Sequence, residues 1–343
     1  DLSDKVNAAP LTLALRVASA SESNATSQLL LNGQSVSTLS LPSLGNGAYR
    51  DVAQMASTSI TTTASSGLST FQLTYSTSDP QGKGYLEDMI CHTRKNLTSS
   101  NGRLRFRDVS QVQPGGSASY TFYASSITPW LIWDVTVAYA PFSIETTQSG
   151  NSLEFGVATD SLREFLAFDP SQRTIFPRPS YVGTVSNQNL RGIVSTDMVI
   201  VTSSAMQSAA EVLANHREQI YGLDVEVVTI DEIYNEFSSG QADLCALRDF
   251  MRMLYKGAAS PEERLQYLLL LGDASFDPKN RVSTGTRNII LTYESPESFS
   301  PLQTYATDDF YGFLDDNEGV NIATASQPSD LDIAIGRLPV ATS

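Results

Sequence analysis

At 343 residues, with 41% hydrophobic and 17% charged side chains, the chain is too long for one ordinary core and too apolar for disorder, so two domains are expected. No apolar run approaches the ~20 residues that span a bilayer, which argues against an integral membrane protein. The formal net charge of −15 is uneven: residues 1–195 carry 14 acids and 13 bases, residues 196–343 carry 23 and 9.

Such a break usually marks a domain boundary, and the acidic half argues against nucleic acid as a partner, because it has little to neutralise phosphates. Asp1-Leu2-Ser3-Asp4 shows no signal-peptide pattern, so any leader was absent or removed. The Ser/Thr-rich, Lys-poor first 125 residues suggest an exported bacterial protein.

The first part reads as short strands between turns. Leu11, Leu13, Leu15 and Val17 alternate with other residues, as do Phe71, Leu73 and Tyr75, then Leu104 and Phe106, then Tyr120 and Phe122. Period two places each set on one face of a pleated strand. Gly45-Asn46-Gly47, Asp79-Pro80-Gln81-Gly82 and Pro114-Gly115-Gly116 supply turn chemistry between them. Together these predict a β-sandwich over 1–195, ending in a Pro-rich connector over 169–195.

From about residue 196 the pattern changes. Met198-Val199-Ile200-Val201 reads as a strand buried on both faces. A helix over about 205–221 is expected next, capped by Ser203 or Ser204 and ended by Gly222. Val225–Val228 is the second strand, Asp243 caps a helix carrying Leu247, Phe250, Met251 and Leu254, and Tyr267–Leu271 is the third strand. Strand–helix–strand–helix–strand predicts a parallel α/β sheet. Ile289–Leu291, Phe310–Phe313 and Ile333–Ile335 read as further strands, with no helix to cover the last of them.

Ligands of such sheets gather beyond the carboxyl ends of the strands. Asp273 follows the third strand there, and Asp277, Asp308, Asp309, Asp315, Asp316, Asp330 and Asp332 lie nearby in sequence. Such acids suit a hard cation, and they equally suit solvated loops. No glycine-rich phosphate loop follows the first strand, so no nucleotide site is expected. Cys91 and His92 are neighbours in a strand and point to opposite faces, so they cannot form a nucleophile–base pair. Cys245 reads as packing near a helix start, and His216 as a helix surface residue.

Several stretches, in order, resemble the gingipain-type cysteine peptidases of family C25. They include Gly222–Val228, Ile233–Gly240, Leu247–Phe250, Tyr267–Asp273, Ser275–Asp277, Asp308–Gly312 and Ile335–Val340. In the first half, Gly84–Met89, Gly102–Asp108 and Trp133–Thr136 resemble the segment preceding the peptidase domain in the sortase branch of that family. The resemblance implies a caspase-like peptidase of two subdomains, of which residues 196–343 look like the first. It also implies a catalytic His and Cys in the second subdomain, beyond Ser343, so no catalytic residue is carried onto this chain.

Further implications are the outer surface of a Bacteroidetes-type cell, type IX secretion, and protein substrates whose C-terminal sorting domains are removed. Other surface proteins of that secretion system are the remaining expected partners. Family members hold structural calcium at positions that match Asp273 and Asp332, with Asp330 at a further ligand position occupied there by Tyr. In a parallel sheet Asp273 and Asp332 sit at opposite edges, so such a site requires the last strand to run antiparallel. A non-enzymatic surface or adhesin protein reusing the same domains is the alternative reading.

Overall fold

The computed structural model describes residues 2, 4–64, 67–99, 101–127, 129–282, 288–316, 318 and 330–342. It divides into two compact units, Asp1–Leu44 with Ala53–Gly183, and Gly45–Val52 with Thr184–Ser343.

The first unit opens with β1 (Leu11–Ala20), β2 (Ala25–Leu31), β3 (Gln34–Leu41), β4 (Gln54–Thr62), β5 (Phe71–Thr77) and β6 (Lys83–Thr93). They form two three-stranded sheets, β4-β1-β6 and β3-β2-β5, antiparallel throughout. The alternating leucines of β1 lie 0–1% exposed against Leu29 and Leu41 from the other sheet. This is the expected outcome of a period-two pattern with one buried face.

Next come β7 (Thr98–Ser99), β8 (Arg103–Arg107), β9 (Ser117–Ala124), β10 (Leu131–Asp134), β11 (Phe142–Ser143), β12 (Thr147–Ser149), β13 (Ser152–Ala158) and β14 (Glu164–Phe168). They pair as β11-β10-β14-β8 and β12-β13-β9-β7. Phe122, Phe155, Phe165 and Ile132 make a second, separate core. The sandwich expected over 1–195 is therefore two sandwiches in tandem, each with its own apolar interior. Strand periodicity fixes which side chains are buried but says nothing of which strands share a core.

The second unit contains β15 (Met198–Thr202), α1 (Gln207–Tyr221), β16 (Val225–Thr229), α2 (Ile230–Phe237), α3 (Leu244–Gly257), β17 (Tyr267–Leu271), β18 (Tyr293–Glu294), β19 (Ala306–Thr307) and β20 (Ala334–Leu338). The main sheet has the order β16-β15-β17-β20, and every neighbouring pair is parallel. Met198 and Ile200 pack with Ala210 and Ala214 of α1 on one face. Val199 and Val201 pack with Leu247, Phe250 and Met251 of α3 on the other. The continuous apolar run of β15 is thus explained by helices on both faces.

α1 ends at Gly222, whose φ of 68° is the left-handed cap that glycine adopts without penalty. Asp243 caps α3 by accepting from the Cys245 N–H at 2.8 Å. Neither Ser203 nor Ser204 makes a side-chain cap at the start of α1; a 3-10 turn over Ser204–Met206 precedes the helix instead. α2, which periodicity did not single out, starts with a capping box: Thr229 and Glu232 satisfy each other's backbone N–H groups.

Two predicted strands are not strands. Phe310–Gly312 lies in a 3-10 helix, Asp309–Gly312, and Ile289–Leu291 is irregular chain. Both are buried by tertiary contacts, at Ile290 and at Phe310 and Tyr311, and a short apolar run does not reveal which kind of element buries it. The second half of the connector also departs from a free linker. Leu190 enters the core of the second unit, and Glu236 of α2 accepts from the Leu190 N–H and from Gln188 Nε2.

Candidate functional site

Strand order reverses between β15 and β17, since β16 lies to one side of β15 and β17 to the other. In open α/β sheets the crevice beyond the carboxyl ends at such a point is where ligands bind. Thr202 ends β15 there, and its buried hydroxyl donates to the Leu271 carbonyl at 3.0 Å. Gly272-Asp273 ends β17, and the chain then returns so that Ile289 and Ile290 donate their N–H groups to the Asp273 carbonyl, at 3.0 and 3.2 Å. A Cβ at Gly272 would lie 2.7 Å from an Ile289 side-chain carbon. Only glycine leaves room for this return.

The hub of the edge is Arg337, in β20. Its Nε and Nη2 bind both oxygens of Asp308, each at 2.7 Å. Its Nη1 donates to the carbonyls of Gly272 and Ile290, at 2.9 and 3.0 Å, and Nη2 also reaches Leu291, at 3.1 Å. All five N–H donors of the guanidinium are thereby used. Tyr311, buried beside it, donates from its hydroxyl to the same Leu291 carbonyl at 2.6 Å, and burial pushes its phenol far above the ordinary range. One arginine thus ties the end of β17, the returning loop and the Asp308 turn to the last strand.

The acids foreseen as cation ligands are spread over other tasks. Asp277 is buried and accepts from the N–H groups of Arg281 and Val282, at 2.8 and 2.7 Å. Asp273 accepts from the Ala274 N–H at 2.9 Å. The Asp309 N–H donates to Thr307 Oγ1 at 3.1 Å. The Asp315 N–H donates to Glu318 at 3.1 Å, and Asp316 pairs with Arg252 and Lys256 of α3.

β20 runs parallel to β17, with Tyr267 opposite Ala334 and Leu271 opposite Leu338. Asp332, before β20, is therefore at the amino-terminal edge, where it accepts from the Leu314 N–H at 2.9 Å. Asp273 is at the carboxyl edge. The antiparallel strand that a shared site required is not formed, so Asp273 and Asp332 do not converge; Asp330 is exposed beside Asp332. Among the described residues no group of three or more His, Cys, Asp or Glu side chains is placed to hold a metal.

The nucleophile candidates lie on three elements. Cys91 and His92 lie in β6 of the first unit. Cys245 starts α3 on one face of the parallel sheet, and His216 lies in α1 on the other. Burial pushes the Cys245 thiol up, and the carboxylates of Asp243 and Asp249 push it further. Burial likewise raises Cys91. Neither is the low-pKa thiol of a nucleophilic cysteine.

Residues 194–343 match the family model of peptidase family C25. The matched region coincides with the α/β unit apart from its first residues and the segment Gly45–Val52. The fold of the chain is similar to a crystal structure of dimeric latent PorU from Porphyromonas gingivalis, with a TM-score of 0.82 and 24% identity over 99% of this chain. The chain spans 33% of the length of that protein. No curated protein sequence matches it. The likeness extends the shared fold through the tandem sandwiches as well as the C25 region.

Proposed function

We propose that this chain is the N-terminal portion of a gingipain-like cysteine peptidase or transpeptidase of the cell surface. In this reading it acts as a sortase that removes C-terminal sorting domains from proteins exported by type IX secretion. The observation that carries the reading is the C25 match over residues 194–343, set within a fold shared with PorU along 99% of the chain. In this reading the catalytic His and Cys come from the second subdomain, beyond these 343 residues, as the resemblance to family C25 implies; Cys91 and His92 share β6, and Cys245 and His216 lie on opposite faces of the parallel sheet. The unit described here acts as a scaffold, whose clamp on the strand ends holds the loops that border the peptidase site.

The test is incubation of the 343-residue chain with unstructured peptides and with a sorting-domain substrate, read by mass spectrometry. No turnover is expected from this chain alone, and turnover from a longer chain that includes the downstream His and Cys. Turnover by this chain that disappears in Cys245→Ala would overturn the assignment. A longer chain with no such His and Cys would favour the adhesin alternative.

A further inference from the structure

The outer face of the sheet β11-β10-β14-β8 is unusual for a solvent-facing surface. Arg103, Arg105 and Arg107 alternate along β8 and are all exposed, while Leu104 and Phe106 between them point into the core. The register places Arg103, Arg105 and Arg107 opposite Phe168, Leu166 and Glu164 of β14. Beyond β14, Leu131 and Trp133 continue the same face, 40% and 36% exposed. Phe168 stands edge-on between Trp133 and Phe176, with ring centroids 5.3 and 5.5 Å apart.

This is an apolar, aromatic strip beside a comb of guanidiniums. Among the described residues the comb meets a single carboxylate, Glu164, which pairs with Arg105 at 2.6 Å. Arg103 donates to the Ile175 carbonyl at 3.2 Å, which holds it beside Phe176. β8 is also an end strand. On the side away from β14 the Arg103 carbonyl accepts from Ser99 Oγ at 3.1 Å, and among the described residues no backbone hydrogen bond reaches that side.

We propose that β8 accepts an extended acidic peptide as an added strand, whose carboxylates bind the comb Arg103, Arg105 and Arg107. Charge selects an anion, and periodicity selects a peptide strand among anions. The arginines recur every second residue, about 7 Å apart along the strand. An added strand repeats its side chains on one face at the same spacing, so Asp or Glu at every second position meets one guanidinium each. Bidentate arginine–carboxylate pairs supply specificity, and the edge beyond Arg103, at Arg105 and Arg107, supplies backbone hydrogen bonds. Phe176, beside Arg103, gives that end of the comb an apolar surface. The competing explanation is that the arginines only guard a bare edge against aggregation.

The test uses the full chain and fluorescein-labelled nonapeptides, read by anisotropy at low and high salt. One peptide alternates Asp with Val or Thr, a second carries Asn for each Asp, and a third is N-methylated at alternate amides. The Asp peptide is expected to bind. The Asn peptide, and the Asp peptide against Arg103→Ala combined with Arg107→Ala, are expected to bind at least tenfold more weakly. The N-methylated peptide is expected to lose binding by a similar factor, because it cannot pair with the edge. The two altered peptides need no change in the protein, so a misfolded variant leaves the test intact. Absence of binding by the Asp peptide would overturn the proposal in favour of edge protection. Equal binding by the N-methylated peptide, or tighter binding of a sulfated oligosaccharide or oligo-dT of equal charge, would also overturn it. Concentration-dependent self-association that blocks the peptide would assign the face to a second copy instead.

Discussion

Replacing Arg337 by Met keeps most of the side-chain volume and removes the charge and every donor. The guanidinium makes five hydrogen bonds of 2.7–3.1 Å, to Asp308 and to the carbonyls of Gly272, Ile290 and Leu291. Arg337 and Asp308 side chains are only 13% and 20% exposed, so the loss is not that of a surface pair, which is worth about 0–1 kcal/mol. Breaking one partner of a buried pair leaves the other charge uncompensated and costs about 3–5 kcal/mol. Some relief comes from water reaching Asp308, so the low end, roughly 3 kcal/mol, is the expected loss. Arg337→Met combined with Asp308→Asn is expected to cost less than the sum of the two single changes, since the stranded carboxylate is gone.

The assay is urea unfolding followed by circular dichroism at 222 nm. That signal reports the second unit, because α1, α2 and α3 all lie there. Trp130 and Trp133, the only two tryptophans, lie in the first unit and report it separately by fluorescence. A loss below ~1 kcal/mol in the helical transition, the surface-pair value, would refute the account of Arg337 as the hub of the strand ends.

Thr229→Ala removes the capping box of α2 and is expected to destabilise the second unit by about 1–2 kcal/mol, measured in the same urea titration. In the first unit, burial pushes the Asp134 carboxyl up, but hydrogen bonds from Thr136 and the Arg163 guanidinium outweigh it and hold it below the ordinary range. A carboxyl depressed on folding adds stability above its unfolded value, about 4, and that stability is lost as pH falls through the lower folded value. Tryptophan-detected stability should therefore fall more steeply below pH ~4 than in Asp134→Asn. Both thiols are raised, so Cys91 and Cys245 should react slowly with iodoacetamide at neutral pH and faster only toward pH ~9 and above. Fast alkylation of Cys245 at neutral pH would contradict its placement between Asp243 and Asp249.

Most elements of this protein are legible from local residue patterns. The leucines of β1, the uninterrupted apolar run of β15, Gly222 after α1 and Asp243 before α3 carry local signals. Alternation, two-sided burial, a left-handed cap and an N-cap each need only nearby residues. The family resemblance is legible there too, over the α/β half and in stretches of the β-rich half such as Gly102–Asp108. How those elements meet is set by contacts distant in sequence. Two sandwiches replace one because partner choice among β-strands depends on contacts far apart in sequence. Phe310–Gly312 became a 3-10 turn because burial beneath β20 is satisfied without a strand.

The direction of β20 separated Asp273 from Asp332, and no periodicity records strand direction. Arg337 stood in the sequence only as part of the stretch Ile335–Val340 that resembles family C25. Its role depends on three carbonyls and one carboxylate contributed by Gly272, Ile290, Leu291 and Asp308, between 29 and 65 residues away. A guanidinium with five donors finds partners by three-dimensional proximity, and the linear order of residues does not encode that proximity.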